Sequence, residues 1–299
     1  MRSLYPVALA IVALALSACI KDSENPPGTI GDPNTGVPQF PPANATFRAQ
    51  FDPLSGIVPY PNDILGFVAA PGTDGTLNLP AQALQPLAPL VNQLDGFSTT
   101  ARMIANFTRA VAPASLTPGS VFLLEVAIDP ATKGVVGLSD ATLCSLAAAP
   151  PDACAALGLP FNTGIPFLVQ GVDYEVQVAP DIDAGGQTVQ LKPLRPLNAN
   201  QANNFTPGTE NGYLMFLTDG ITDTEGTPAA PDTVYAQIRA GFISGAIQLP
   251  DPEVGLPPGL TTEQLLGIFI AAHLAVGEIL GIQPGEVVVS ASFTTLDTT

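Results

Sequence analysis

The chain has 299 residues, 46% of them hydrophobic, with 32 prolines and no tryptophan. Twenty-six acidic residues against nine Lys and Arg give a formal charge of −17, which repels phosphate backbones and anionic head groups and argues against nucleic acid as a partner. Proline at about double its usual ~5% argues against a helical protein and for short strands joined by turns.

The amino end reads as an export signal. Arg2 precedes an apolar run, VALAIVALAL, from Val7 to Leu16, too short to span a bilayer but suited to a signal-peptide core. It runs into Leu16-Ser17-Ala18-Cys19, which resembles the lipobox of bacterial lipoproteins. The resemblance implies a diacylglycerol on the Cys19 thiol, cleavage after Ala18, and a body held to a membrane by that lipid. Ile20 in place of an aspartate implies sorting to the outer membrane. Without residues 1–18 the chain carries eight Lys and Arg against 26 acids, a formal charge of −18. Residues 19–45, rich in proline and without periodicity, form the lipidated tether.

The body, 46–299, reads as an antiparallel, Ig-like β-sandwich, with a subdomain boundary near 115 as one option. Pro59 and Pro61 force an extended path around Tyr60, and Asn62-Asp63 make a cap or turn. Gly72 to Gly75 signals a turn before a strand at Thr76–Leu79, and 94–107 reads as a loop leading into a short apolar stretch. Strands are expected at Val121–Ile128, Val172–Val178, Thr188–Lys192, Tyr213–Thr218 and Glu286–Thr295, with Gly185-Gly186 turning the second into the third. Two helices interrupt them: Asp232 to Phe242, and Thr261 to Leu280 with Gly281 as its stop. The second is apolar nearly all round and is expected to pack on the sheet or another subunit.

Cys144 and Cys154 are the remaining cysteines, and in an oxidising compartment a local disulfide is the natural reading. Asp219, Asp223 and Glu225 form an acidic turn, and Asp181 with Asp183 another. Hard oxygen ligands for Ca²⁺ are one reading and ordinary turn chemistry the other. Asp52, Asp63, Asp74 and Asp95 could supply a carboxylate pair, though nothing in the sequence fixes their spacing. The three Asn-x-Thr tripeptides at Asn44, Asn106 and Asn204 read as chance. No other cofactor is signalled.

Several strings, taken in order, carry a resemblance: FDPLSGIVPYPNDILGF, GTDGTLNLP, LDGFSTTARM, PASLTPGSVFLLEV, QTVQLKPLRPLNA, NGYLMFLTDGITDTEGTP and VVVSASFTT. Together they resemble the N-terminal domain of bacterial virulence-factor lipases, across Phe47 to Thr295. That family carries its catalytic serine in a G-x-S-x-G elbow of a following α/β-hydrolase domain. This chain has no such elbow: GFSTT at 96–100 and GLSDA at 137–141 both lack the last glycine. Its single histidine, His273, sits in an apolar helix and reads as a core or interface residue. The resemblance implies a non-catalytic accessory domain, with a hydrolase domain or lipid substrate as partner. The alternative is a stand-alone, surface-exposed Ig-like binding or adhesion module.

Overall fold

The computed structural model describes residues 46–65, 76–77, 92–179, 185–250 and 259–296. Cys19, the signal segment, the tether, the Gly72–Gly75 turn with Asp74, the end of the expected strand at Asn78–Leu79, and Asp181 and Asp183 lie outside them.

Among the described residues, seven strands form two antiparallel sheets. They are β1 (Met103–Asn106), β2 (Val121–Ile128), β3 (Val135–Leu138), β4 (Tyr174–Val178), β5 (Thr188–Pro193), β6 (Glu210–Thr218) and β7 (Val287–Thr294). One sheet runs β1-β5-β4 and the other β3-β2-β6-β7. The molecule is therefore mainly β, an antiparallel sandwich interrupted by helices. Among the described residues four α-helices accompany the sheets: α1 (Asp140–Ser145), α2 (Pro151–Ala156), α3 (Thr233–Ile243) and α4 (Thr262–Ile279).

Strand β2 begins and ends as expected, because an apolar octet is stopped by Asp129-Pro130 and preceded by the Gly119 turn. Strand β4 starts two residues late, since Val172 and Asp173 are spent on the turn that precedes it. Strand β6 starts three residues early, because Glu210 to Gly212 find partners in Val126 to Ile128. Strand β1 corrects the loop reading of 94–107. Its four residues become a strand only by pairing with Thr188–Leu191, far along the chain. Strand β3 and the short helices α1 and α2 were not expected from the sequence at all. Val136 stands exposed on β3, so that edge strand lacks the alternation of a longer one.

Helix α4 starts with a capping box. Thr261 Oγ1 accepts from the Gln264 amide at 3.3 Å, while Gln264 Oε1 accepts from the Thr261 amide at 2.9 Å. It stops at Gly281, whose φ of 86° is the left-handed conformation glycine adopts without strain. Helix α3 is capped by Asp232, whose carboxylate accepts from the Val234 amide at 3.2 Å. By length and hydropathy α4 could cross a membrane, yet 56% of it is buried within this domain. It lies over the four-stranded sheet, where His273 bonds two serines of β7 and Gly277 packs against the Phe216 ring.

One core joins both sheets and both long helices, from Phe47, Phe51 and Phe107 through Leu123, Val189 and Phe216 to Ile270 and Phe293. The outer edge of β7 is stitched to segments early in the chain. The Asp63 amide donates to Ser292 O at 2.9 Å, and Phe97 N–H donates to Thr294 O at 2.8 Å. On the same strand, Arg239 of α3 donates to Val287 O at 2.8 Å. Such cover occupies three carbonyls of that edge.

Candidate functional site

Cys144 and Cys154 form a disulfide that links α1 to α2, with Cα atoms 5.8 Å apart. Around it lies a small core of its own, built from Ala149 with Leu143, Leu159 and Phe205. The loop is pinned to the sandwich by short polar side chains. Ser139 caps α1, Thr142 Oγ1 donates to Glu125 O at 2.8 Å, and Ser145 Oγ donates to Ile165 O at 2.7 Å. The Asp140 carboxylate accepts from the amides of Asn204 and Phe205 at 2.8 and 2.9 Å. Replacing both cysteines by serine is expected to cost about 2–3 kcal/mol, the entropy of a short closed loop. Urea midpoints of the oxidised wild type and the double variant measure it.

The acidic turn is held by an arginine. Arg109 reaches Asp223 at 2.9 Å and Glu225 at 2.7 Å, and the Asp223 carboxylate also accepts from the amides of Glu225 and Thr227. Burial opposes the charge on Asp223. The Thr227 and Glu225 amides and the Arg109 guanidinium together outweigh it and hold the carboxyl below its usual range. Asp219 stands exposed at the start of the turn. Among the described residues, no cluster of three or more His, Cys, Asp or Glu side chains is arranged to hold a metal ion. The carboxylates suggested as a pair are set in different places. Asp52 accepts from Ser55 in a tight turn, Asp63 is buried against Thr294, and Asp95 sits half-buried in the turn before Phe97.

His273 is fully buried between α4 and β7. Its Nδ1 pairs with Ser290 Oγ at 2.9 Å and its Nε2 with Ser292 Oγ at 3.0 Å, while Tyr235 Oη shares Ser290 Oγ at 2.7 Å. Burial pushes the imidazole pKa down to about 3, so it stays neutral and is sealed from any substrate.

A cleft with several convergent polar groups lies between the disulfide loop and the face of β2 and β6. It encloses about 390 Å³. Its floor is the cross-strand pair Glu125 and Tyr213, which are in register on β2 and β6. Glu125 is 6% exposed. Tyr213 Oη donates to Glu125 Oε1 at 2.8 Å, Asn198 Nδ2 donates to the same oxygen at 2.5 Å, and the Asn198 amide donates to Tyr213 Oη at 2.7 Å. Burial and the Glu125 charge raise the phenol pKa, which keeps Tyr213 a hydroxyl donor. A second acid in the cleft, Asp173, is buried too, but Arg195 pairs with it and the Val169 amide donates to it at 2.7 Å. Apolar walls come from Leu159, Pro160, Ile165, Phe167 and Leu197.

Exposed hydrophobics neighbour the lining residues along the chain. Leu157, Phe161, Ile165, Val169, Val172 and Leu194 are all exposed large hydrophobics and all lie within two residues of the cleft lining. Apolar walls around a few buried polar groups are the usual anatomy of a binding site.

No family model and no curated protein matches this chain. The cleft residues were missed in the sequence, although one signal was present. Glu125 is the lone charge inside the apolar string VFLLEVAI, and a charge placed in a buried strand needs partners.

Proposed function

We propose that this chain is a non-catalytic accessory domain of an exported, lipase-like lipoprotein. The Cys19 lipid holds it at the outer membrane, and its work is binding through the cleft under the disulfide loop. What supports the reading is the lipobox together with the ordered strings that resemble the lipase N-terminal domain. The observation that carries it is the chemistry of the cleft: a carboxylate fixed by a phenol and an amide among apolar walls, with the one histidine sealed in the core and not among its lining. A serine hydrolase needs a nucleophile beside a base, and a sealed imidazole with a depressed pKa does not serve an open cleft.

A stand-alone Ig-like binding or adhesion module is the second reading. The same exposed hydrophobics favour it, with a separate protein or surface in place of an attached hydrolase domain.

Labelled palmitate is expected to enter the wild-type chain and not Cys19→Ser, and the purified mature chain is expected to leave short-chain esters unhydrolysed. Turnover that a serine-directed inhibitor abolishes would overturn the non-catalytic reading. An unlabelled wild type would overturn the lipoprotein reading.

A further inference from the structure

From the cleft we infer a ligand class: a small organic amine, protonated at its nitrogen, with a compact apolar body. The inference rests on the reading of the cleft as a binding site and adds what the site selects.

Glu125 decides the chemistry. Both of its donors, Tyr213 and Asn198, converge on Oε1. Among the described residues Oε2 has no hydrogen-bond partner, although the side chain is more than nine-tenths buried and lines the cleft. Glu125 lines the cleft with this acceptor free, and a cationic N–H donor entering the cleft gives it a charge-assisted hydrogen bond. The other charges present already cancel, because Arg195 neutralises Asp173. The cleft therefore holds one uncompensated negative charge beside an unused acceptor.

The walls set the rest of the ligand. Phe167, Leu159, Leu197 and Ile165 offer apolar contact, and 390 Å³ is between two and three times the ~150 Å³ cavity that takes a benzene ring. A monocyclic or short-chain amine fits that space. Anions are excluded by the charge of Glu125, and neutral alcohols lose the charge assistance.

The test is calorimetric titration of the full mature chain with phenethylamine and 4-phenylbutylamine, each against its alcohol and carboxylate analogue. The amines are expected to bind at least tenfold more tightly than the alcohols, and the carboxylates not at all. Glu125→Gln keeps an acceptor for Tyr213 and Asn198 but turns the free end into an N–H donor. It is expected to lower amine affinity tenfold or more while the far-ultraviolet spectrum and melting midpoint stay near wild type. Glu278→Gln, an exposed acid on α4, removes the same net charge elsewhere and is expected to leave amine affinity unchanged. Equal loss in both variants would reduce the effect to bulk charge and overturn the inference. Amines and alcohols binding alike, to wild type and to Glu125→Gln, would overturn amine selection while leaving the cleft a binding site. No binding by any probe would overturn both. A tri-lysine peptide binding more tightly than either amine would replace the small-molecule class with a basic chain.

Discussion

Replacing His273 by glutamine is expected to make the protein about 3 kcal/mol more stable at pH 4, relative to wild type, than it is at pH 6.5. The imidazole is held neutral down to about pH 3 in the fold but takes a proton near pH 6.5 when unfolded. The unfolded chain therefore binds the extra proton between those values, and stability contributed by His273 falls as pH drops. Asp63 behaves in the opposite sense. Burial raises its carboxyl from 3.8 to about 7, against the opposing pull of Lys133 and the Thr294 hydrogen bonds. The folded chain then holds the extra proton between pH 3.8 and 7, and stability contributed by Asp63 falls as pH rises. Between about 4 and 6.5 the two slopes cancel in the wild type: folding takes a proton from one buried group and gives one to the other. Asp63→Asn is expected to show the reverse tilt, gaining on wild type as pH rises by a similar ~3 kcal/mol. Urea unfolding of the three proteins from pH 4 to 7 measures both slopes. Variants whose curves stay parallel to wild type would remove this account.

Gly96→Ala is expected to cost about 3 kcal/mol or more, the loss associated with a backbone collision rather than a missing contact. Gly96 is buried where the loop before Phe97 crosses the end of β7, and a Cβ there would lie inside van der Waals contact of the Thr295 carbonyl group. Neither segment can give way alone, because Phe97 and Leu296 exchange backbone hydrogen bonds with the same stretch. Gly137→Ala is the matched control. A Cβ on that residue of β3 meets nothing within 4 Å, so its urea midpoint is expected to stay close to wild type. Equal midpoints for the two variants would show that the crossing is looser than its geometry.

Local signals made much of the fold legible. The octet of β2 and the capped helix α4 each carry start and stop chemistry in their own residues, and the structure places them within a residue or two of expectation. The disulfide was legible from two cysteines in one short Ala/Pro-rich stretch. Strand β1 was not, because Met103–Asn106 has no pattern of its own and is defined by a partner some 80 residues on. The cleft was not read from the sequence. Glu125 is a charge inside an apolar string, but its meeting with Tyr213 depends on the β2–β6 register and its meeting with Asn198 on a loop. The acidic turn carried too little information to choose between Ca²⁺ and ordinary turn chemistry, and Arg109, which pairs with it, lies more than a hundred residues away.

The stitching of β7 to Asp63 and Phe97 has a kinetic consequence. The hydroxyl of Thr294 meets the carboxylate of Asp63 across a sequence separation of 231 residues. A chain emerging from the ribosome amino end first cannot close its four-stranded sheet until residue 294 is free. Until then Asp63 and Phe97 lack the strand they bond to, and native topology of this reach slows folding. Closure of that edge is thus the latest step that synthesis allows among the described strands.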